Sequence, residues 1–292
     1  MNRPKLVLLV GIPGSGKTTY SEKYIKEHPG AVHLSSDKIR AELCGNEATQ
    51  GDNNEVFSLM QSRAIEALNN GQSVVYDATN ITRKDRSYII TLCPKFAKIE
   101  CHIIWAPIET CIERDVARDR TVGKEVVDRM LKRFQAPYSD EGIDEIKIIR
   151  PDGFNECKYG SSIMKGMQIS HDNPHHTLDV YEHCMEAHKL CVYKTHNYFD
   201  EVCFAAQYHD VGKPYVKEFR DSKGNQCEIA HYYQHHCVGA WIVYGMPSIT
   251  PYTAWLISTH MDPYLNTKYY NKLPAYLKKQ VDLLHEADVN AH

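Results

Sequence analysis

KLVLLVGIPGSGKTTY, residues 5–20, decides the fold of the first half of the chain. Its apolar run is too short for a helix and ends at Gly11 and Pro13, so it predicts a buried strand that turns into a glycine-rich loop. The loop matches GxxxxGK[ST], a pattern whose backbone N–H groups surround phosphate oxygens. An ordinary strand-to-helix turn would not fill every position of this pattern. The stretch therefore predicts a site for a nucleoside triphosphate.

The chemistry of this predicted site depends on one lysine and one hydroxyl. Lys17 supplies a positive charge to the phosphates, and the Thr18 hydroxyl can hold Mg²⁺ at the head of the next helix. The expected ligands are thus ATP and Mg²⁺. The residues predicted to bind them are Gly11, Gly14, Ser15, Gly16, Lys17, Thr18 and Thr19.

Composition limits the class of protein. The 292 residues suffice for two domains of ordinary size, and the net charge of −3 argues against a generally basic nucleic-acid binder. Any nucleic-acid contact should therefore be local. The 10 cysteines are scattered, with no CxxC pair, and no apolar run is long enough for a membrane span. These features predict reduced cysteines and a cytoplasmic location.

The two halves of the chain differ in their histidines. Residues 1–150 contain 3 of the 16 histidines, so 13 lie in the remainder. The first half has 22 basic and 21 acidic residues, and the second has 12 and 16. This asymmetry predicts that the two halves perform different chemistry.

Two polar segments follow predicted strands in the first half. SSDKIR, residues 35–40, places Asp37 one helical turn before Arg40, so a base for an attacking hydroxyl and a cation for an acceptor phosphate would share one helix face. Asp37 is equally a residue type that caps helices. SVVYDATNITRKDR ends a second strand at Asp77 and continues to Arg83 and Arg86, which we predict to contact an acceptor phosphate.

A charged segment, ERDVARDRTVGKEVVDRM, follows the strand CHIIWAP. Its arginine-rich, glycine-interrupted centre predicts a mobile lid that brings Arg118 or Arg120 to the transferring phosphoryl group. A solvated run of charges is the alternative.

These segments, in this order and spacing, resemble the phage-type polynucleotide 5′-kinase domain. The resemblance covers about the first half of the chain and implies that Lys17 and Thr18 serve ATP and Mg²⁺. It also implies that Asp37 is the general base for a 5′-hydroxyl, that Arg40 holds the acceptor's phosphate, and that Arg118 is the lid arginine. The family places Gly directly after that arginine, whereas Asp119 and Arg120 intervene here, so the roles of Arg118 and Arg120 stay open.

The second half begins after a predicted strand, EIKIIRP. Residues 152–173 are rich in glycine, serine and asparagine and predict a linker between a domain at 1–151 and one at 174–292. Helical periodicity returns at 178–192, 198–208, 236–244, 251–260 and 275–289. We therefore expect an α/β P-loop domain, a parallel sheet flanked by helices, followed by an all-α domain.

Histidines and aspartates recur at the ends or faces of these predicted helices. Imidazole and carboxylate groups are natural ligands of divalent transition metals such as Mn, Ni, Co, Fe and Zn, and two metals sharing an aspartate would suit phosphate-ester cleavage. The ordered set is His183, His209, Asp210, His235 or His236, His260 and Asp288.

The ordered set resembles the signature of the HD superfamily of metal-dependent phosphohydrolases. The contexts NPHHTLDVYEH, AAQYHDVGKP, YYQHHCVGAW, LISTHMDP and LLHEADVNAH are similar to the HD domain of bacterial tRNA nucleotidyltransferases. The resemblance implies one metal on His183, His209, Asp210 and Asp288, and a second on His235 and His260 with Asp210 bridging. It also implies that Lys213 and His175, with which His176 competes, hold the substrate phosphate.

Together, the two resemblances imply a bifunctional enzyme that heals nucleic-acid ends, RNA above all. It would phosphorylate a 5′-hydroxyl and remove a 2′,3′-cyclic, 2′ or 3′ phosphate, leaving ends for a ligase. One alternative is a small-molecule or nucleotide kinase fused to a nucleotide phosphohydrolase. Another is a regulatory protein that senses nucleotides.

Overall fold

The protein is described by a computed structural model that covers residues 3–45, 52–118, 121–173 and 177–291. The chain divides into two compact units, Met1–Met130 with Pro137–Asp152, and Leu131–Ala136 with Gly153–His292. Among the described residues, no helix is both long and apolar enough to cross a membrane.

The first unit is built on a five-stranded parallel sheet. Its strands are β1 Lys5–Val10, β2 Val32–Ser35, β3 Val74–Asp77, β4 Lys98–Ile104 and β5 Glu145–Ile149. Their order across the sheet is β2-β3-β1-β4-β5, and every neighbouring pair is parallel. All five strands lie where the apolar runs predict them. The central strand β1 is apolar and buried from Leu6 to Val10, as expected of a parallel strand covered on both faces.

Helices connect successive strands of this sheet. They are α1 Lys17–Glu27, α2 Ser36–Cys44, α3 Asn53–Asn69, α4 Arg83–Leu92, α5 Ile108–Val116 and α6 Lys124–Leu131. Val7, Leu9 and Val75 of the sheet pack with Tyr24 of α1 in one buried cluster. The sheet carries its ligand-binding edge where the strands end, because the turns after β1, β2, β3 and β4 all open there.

The second unit is mainly helical. Its helices are α7 Glu156–Gly166, α8 Val180–Thr195, α9 Glu201–Tyr208, α10 Lys213–Val216, α11 His235–Val243, α12 Pro251–Thr259, α13 Asp262–Leu265, α14 Thr267–Tyr270 and α15 Ala275–Asn290. Each of the five predicted helical segments overlaps one of these helices. α11 and α12 are almost wholly buried, whereas α8 and α15 bury one face each.

Two predictions for this part of the chain are wrong. The segment 152–173, predicted to be a linker, contains helix α7, which starts at an Asn155 cap whose side chain accepts a hydrogen bond from Lys158 N. The unit is also not all-α, because β6 Glu218–Arg220 and β7 Gln226–His231 form an antiparallel ribbon.

Candidate functional sites

The glycine-rich loop after β1 has room only for glycine at two positions. A Cβ on Gly14 would come 2.0 Å from the Cys111 carbonyl oxygen, and one on Gly11 would come 2.7 Å from the Ile104 oxygen. Gly14 and Gly16 also have positive φ, 78° and 105°, which side chains disfavour. The loop is thereby held against α5 while its N–H groups lead into α1.

Lys17 begins α1 and folds back over this loop. Its Nζ donates to the carbonyl oxygens of Gly11 and Ile12 at 2.9 and 3.0 Å. Burial lowers the pKa of Lys17 to about 8, although the nearby Asp77 carboxylate opposes that shift. Thr18 and Thr19, the predicted Mg²⁺ and phosphate ligands, are exposed in the same first turn.

Asp77 ends β3 close to the glycine-rich loop. Its Oδ2 accepts hydrogen bonds from Ser21 Oγ of α1 and from His33 Nε2 of β2, both at 3.2 Å. Asp77 is buried, so it is a fixed carboxylate behind the first turn of α1. Mg²⁺ in nucleotide sites takes one or two protein ligands and completes its shell with water and phosphate oxygens, and this pair of Thr18 and Asp77 fits that requirement.

The predicted pair of Asp37 and Arg40 forms on α2. Arg40 Nη1 donates to Asp37 Oδ1 at 2.9 Å, and Nη2 donates to Asn53 Oδ1 of α3 at 3.1 Å. Asp37 does not cap the helix, because the cap is Ser35, whose Oγ accepts from Lys38 N. Asp37 is 59% exposed. Its negative charge slightly opposes the lowering of the Lys17 pKa by burial.

The prediction that Arg86 contacts a substrate phosphate is wrong. Arg86 is fully buried, and its Nε and Nη2 donate to the two Glu141 oxygens at 2.7 Å. Its Nη1 donates to Asn80 O at 3.0 Å. All three guanidinium nitrogens donate hydrogen bonds inside the unit, so Arg86 stabilises the turn after β3. Arg83 lies half-buried in the first turn of α4.

The predicted lid follows α5, and its base is tied down by a buried carboxylate. Asp115 accepts from Thr121 Oγ1, Val122 N and Gly123 N at 2.7, 3.0 and 2.9 Å. Burial alone would raise the pKa of Asp115, but these hydrogen bonds outweigh it and lower that pKa. Arg118 is exposed beside this turn. Arg120 lies outside the described residues.

A cavity of 810 Å³ opens between the glycine-rich loop, α1 and the end of β5. Arg114, Arg118 and Arg150 line it. A Cβ on Gly16 would be 3.7 Å from Arg114 Nη1, so Arg114 reaches the loop itself. Arg114 lies in the last turn of α5, two residues before its end, and was not among the predicted site residues.

The second unit brings six of the predicted metal ligands together. His183 lies on α8, His209 and Asp210 follow α9, His235 begins α11, His260 follows α12, and Asp288 lies on α15. We call these six residues the histidine–aspartate centre. They fall into two groups that share Asp210, and within each group the candidate ligand atoms lie within 4.8 Å of one another.

Asp210 faces the two groups with different oxygens. Its Oδ2 is 3.6 and 3.4 Å from the Nε2 atoms of His183 and His209, and its Oδ1 is 3.2 Å from His235 Nε2. Asp288 Oδ1 is 3.0 Å from His183 Nε2 and 3.2 Å from His209 Nε2. A carboxylate with one oxygen toward each group can bridge two metal ions.

Glycines allow the approach of the two halves of this centre. A Cβ on Gly212 would come 2.1 Å from His235 O and 2.7 Å from Gly239 N. The turn that follows Asp210 therefore lies directly on the start of α11. His235, not His236, directs its Nε2 at Asp210, and it is 3.2 Å from His260 Nε2.

All four imidazoles of the centre are oriented by backbone carbonyls. The Nδ1 atoms of His209, His235 and His260 each hydrogen-bond the carbonyl three residues earlier, at 2.8 to 2.9 Å. His183 Nδ1 bonds Ala291 O at 2.8 Å. A carbonyl only accepts, so each Nδ1 carries a proton, and Nε2 is the ring nitrogen left to bind a metal in the centre.

The electrostatics of the centre are those of a cation site. Burial alone would lower the pKa of His209, but the Asp210 and Asp288 carboxylates outweigh it and hold that pKa well above its usual range. Burial works against ionisation of both carboxylates, yet their cationic neighbours keep their pKa values well below the usual range. Burial and the neighbouring histidines lower the pKa of His260 to about 3.

The donor set fits a divalent transition metal. Pairs of Nε2 atoms face each other at 3.2 Å, His183 with His209 and His235 with His260. Two neutral imidazoles in the same tautomer cannot hydrogen-bond through these atoms, whereas one metal ion can accept both lone pairs. Imidazole with carboxylate suits Mn, Fe, Co, Ni and Zn, so the residues present fit the implied metal.

Of the residues predicted to hold the substrate phosphate in the second unit, the structure describes Lys213. Lys213 is buried, and its Nζ is 2.5 Å from Asp210 Oδ2, so it lies at the centre. His175 and His176 lie outside the described residues. The sequence analysis missed His171, a buried histidine whose ring centroid is 5.5 Å from that of His183. A single histidine outside the repeated pattern gave no signal of this contact.

Comparisons with known proteins agree with the fold of the first unit. A family model described as an AAA domain matches residues 6–137, which include the glycine-rich loop. L-seryl-tRNA(Sec) kinase of Methanococcus maripaludis is 25% identical over 142 residues, 45% of this chain and 53% of the relative. Transcription factor bHLH140 of Arabidopsis thaliana is 27% identical over 154 residues, 50% of this chain and 16% of that protein.

A solved structure of the Pnkp1/Rnl/Hen1 RNA repair complex has a TM-score of 0.43 and 23% identity, covering 49% of this chain and 47% of that one. The chain thus spans at most about half the length of these relatives. Its first unit has a parallel sheet and a phosphate-binding loop of the kind that P-loop kinases use.

Proposed function

We propose that the chain is a two-site enzyme that repairs the ends of RNA. The first unit transfers the γ-phosphoryl group of ATP to a 5′-hydroxyl. The histidine–aspartate centre hydrolyses a 2′,3′-cyclic, 2′ or 3′ phosphate at the other end. The resulting 5′-phosphate and 3′-hydroxyl are the ends that a ligase requires.

The kinase assignment rests above all on the pair of Asp37 and Arg40. It supplies an exposed carboxylate at the same sheet edge as Lys17, with a guanidinium 2.9 Å away. The carboxylate accepts the proton of the attacking 5′-hydroxyl, and the guanidinium holds the phosphate that follows the terminal nucleoside. The name of the archaeal relative, L-seryl-tRNA(Sec) kinase, supports phosphoryl transfer to an acceptor carried by RNA.

The remaining charges of the first unit suit the transferred phosphoryl group. Lys17 contacts the β- and γ-phosphates, and Thr18 with Asp77 would hold Mg²⁺. Arg118 and Arg114 stabilise negative charge that develops on the equatorial oxygens in the transition state. Asp115 keeps the base of the lid in place while the lid excludes water.

The hydrolase assignment rests on the convergence of four Nε2 lone pairs around Asp210. His183, His209, Asp210 and Asp288 would hold one metal, and His235 and His260 with Asp210 would hold the other. Bound metals of this kind make water nucleophilic at neutral pH and offset the charge of a phosphate ester. Lys213 binds a substrate phosphate oxygen and orients the ester, with its position fixed by Asp210.

The kinase proposal is tested by transfer of radiolabel from [γ-³²P]ATP to a panel of acceptors. The panel is a 5′-hydroxyl RNA, the same sequence as DNA, a nucleoside and a small alcohol. We expect RNA labelling by the wild type and at least a 100-fold loss in Asp37→Ala. The control is Glu42→Ala on the same helix, which removes a carboxylate paired with Arg63. Labelling of the nucleoside or alcohol alone would support the small-molecule alternative and refute the proposal.

The hydrolase proposal is tested separately with RNA ends that carry a 2′,3′-cyclic, 2′ or 3′ phosphate. We expect His209→Ala to lose both phosphate release and bound metal, measured by elemental analysis. The matched control is His188→Ala, which removes another buried histidine whose Nδ1 bonds a carbonyl, outside the centre. Full release by His209→Ala would refute the assignment.

A further inference from the structure

Residues 263–281 differ in charge from the rest of the second half. They contain four lysines, four tyrosines and no acidic residue, although residues 151–292 have more acidic than basic side chains. The segment begins directly after Asp262, the first residue of α13, and contains the rest of α13, all of α14 and α15 as far as Val281. We call it the tyrosine–lysine segment. A local reversal of charge of this size indicates an anionic partner.

The aromatic rings of the segment are accessible. Tyr264 and Tyr276 are 62% and 65% exposed. Lys268 and Lys272 are exposed between them in the chain, and Lys279 is exposed on α15. Exposed rings and ammonium groups therefore alternate along the sequence of this segment.

Hydrogen bonds hold three of these rings in fixed orientations. Tyr264 Oη and His285 Nε2 are 2.7 Å apart, with ring centroids at 4.9 Å. Tyr270 donates its hydroxyl to Asp282, and Lys278 Nζ lies 4.4 Å from the Tyr270 ring centroid. Trp255 Nε1 donates to Tyr269 Oη at 3.2 Å. Rings fixed at their hydroxyl ends lose little entropy when another ring stacks on them.

The segment lies between two members of the histidine–aspartate centre in the sequence, His260 before it and Asp288 after it. Tyr264 follows the ligand candidate His260 by four residues. His285, its partner, is three residues before Asp288 on α15, a rise of about 4.5 Å. From His285 back to Lys278 the helix rises about 10 Å, which matches roughly three stacked nucleotides at about 3.4 Å each.

We propose that the tyrosine–lysine segment binds the last nucleotides of single-stranded RNA and delivers its 3′ end to the histidine–aspartate centre. This inference rests on the proposed hydrolase function. The bases stack on Tyr264 and Tyr270, and Lys268, Lys272 and Lys278 contact the backbone phosphates. Aromatic stacking with interspersed cations is how proteins bind single strands without reading their sequence. RNA is the occupant because a cyclic 2′,3′ end requires a ribose 2′-oxygen.

A protein or membrane partner fits the surface less well. Leu265 is the one large aliphatic side chain that is exposed among the described residues of this segment, so the surface lacks the apolar centre of a protein interface. Helices α13 and α14 have four residues each, too short to lie in a lipid interface as amphipathic helices.

The test measures binding of the full chain to a 5′-fluorescein hexanucleotide RNA with a 3′-phosphate, by anisotropy. The 5′ label blocks the kinase acceptor position. We expect Lys268→Ala/Lys272→Ala and Tyr264→Ala each to raise Kd at least tenfold. The double variant should also lower the slope of log Kd against log salt by about 1.4, because each lysine–phosphate contact contributes about 0.7. The control is Lys158→Ala/Lys165→Ala on α7, with the same loss of charge.

The length of the RNA provides a second readout. For the wild type, kcat/KM for phosphate release should rise from a nucleoside 3′-phosphate to an oligomer of about four nucleotides and then level off, a length set by the roughly 10 Å rise between Lys278 and His285. The preference for hexamer over mononucleotide should fall at least tenfold in the segment variants. Unchanged Kd in both segment variants would overturn the inference, and equal affinity for single-stranded DNA would overturn the choice of RNA. Absence of phosphate release from every substrate by the wild type would refute the hydrolase proposal instead.

Discussion

At the scale of single residues, Lys17 shows how burial prepares a side chain for an anion. It donates to the carbonyls of Gly11 and Ile12, and ATP phosphates would compete for the same ammonium group. Desolvation lowers its pKa to about 8, so a fraction of Lys17 is neutral under mildly alkaline conditions. A bound triphosphate would raise that pKa again, because opposite charge favours the protonated form.

Binding of ATP to the wild type should therefore take up protons and weaken as pH rises through about 8. We expect uptake of about half a proton at pH 8, where free Lys17 is half ionised. Calorimetry in two buffers of different ionisation enthalpy measures this uptake. In Lys17→Arg the guanidinium stays protonated throughout this pH range. ATP binding by this variant should therefore take up no proton at position 17, and its affinity should lose the pH dependence that Lys17 causes. Identical proton uptake in both proteins would contradict this explanation.

Arg86 provides a second test at this scale, because its role is structural. Arg86→Ala leaves the buried Glu141 carboxylate unpaired, so we expect the free energy of unfolding to fall by about 3–5 kcal/mol. Arg63→Ala is the matched control, because Arg63 and Glu42 form the same two-point pair at an exposed position. It should cost at most about 1 kcal/mol. Urea unfolding measures both, and a small cost for Arg86→Ala would contradict a structural role.

The contrast between these arginines and Arg40 shows which site residues the sequence could predict. Asp37 and Arg40 are three residues apart on one helix, so their pairing followed from local geometry. Arg86 pairs with Glu141, 55 residues later, and nothing in the local pattern separates a buried arginine from one that binds substrate. The histidine–aspartate centre was predictable because its imidazole and carboxylate groups recur in or beside the end turns of successive helices.

At the scale of elements, the turn between α5 and α6 depends on Asp115. Three hydrogen bonds from residues 121–123 converge on this one buried carboxylate. The turn carries the arginines of the predicted lid, so its position controls where their charges lie. If the predicted lid acts in phosphoryl transfer, Asp115 links the end of α5 to that reaction.

Asp115→Ala should lower kcat of the kinase even under conditions where the variant is still folded, so that lost stability does not account for the fall in kcat. Loss of the acceptor leaves buried donors unsatisfied, which costs about 1–3 kcal/mol of unfolding free energy. We expect kcat to fall at least tenfold at a temperature where the variant remains folded by circular dichroism. Asp128→Ala, which removes a surface partner of Lys124 on α6, should leave both quantities nearly unchanged. Equal kcat in wild type and Asp115→Ala would exclude this role.

Element prediction failed where composition and structure diverge. Residues 152–173 look like a linker because glycine and serine lower helix propensity, yet α7 forms and buries Ile163 and Gly160. Gly160 lies close to Pro247, and a Cβ there would be 3.2 Å from the proline ring. Tertiary packing therefore stabilises a helix that its local sequence does not favour. The β6–β7 ribbon was missed because its strands are short and mostly exposed.

At the scale of the whole molecule, the proposed function gives the two units two different kinds of phosphate chemistry. The first unit arranges amides and cations for a transferable phosphoryl group. The second arranges lone pairs and carboxylates that a metal would bring together. A metal that binds these groups only in the folded unit should also stabilise the fold of that unit.

Chelation should therefore separate the two activities. Dialysis against a chelator, followed by return of Mg²⁺, should abolish phosphate release and preserve transfer from ATP. Differential scanning calorimetry should show a lower Tm for the metal-free protein, and Mn²⁺ or Ni²⁺ should restore it. The expected stabilisation is about 2.7 kcal/mol at a free metal concentration 100 times Kd. His209→Ala should show no metal-dependent rise in Tm, and a rise equal to that of the wild type would contradict the assigned centre.

The central claim is that one chain adds phosphate at one RNA end and removes it at the other. The most direct measurement uses a single RNA with a 5′-hydroxyl and a 3′-phosphate, incubated with [γ-³²P]ATP and analysed by mass. The wild type should yield 5′-phosphate, 3′-hydroxyl RNA. Asp37→Ala should remove only the 3′-phosphate, and His209→Ala should add only the 5′-phosphate. An RNA unchanged at both ends, or one variant that loses both reactions while folded, would contradict the account.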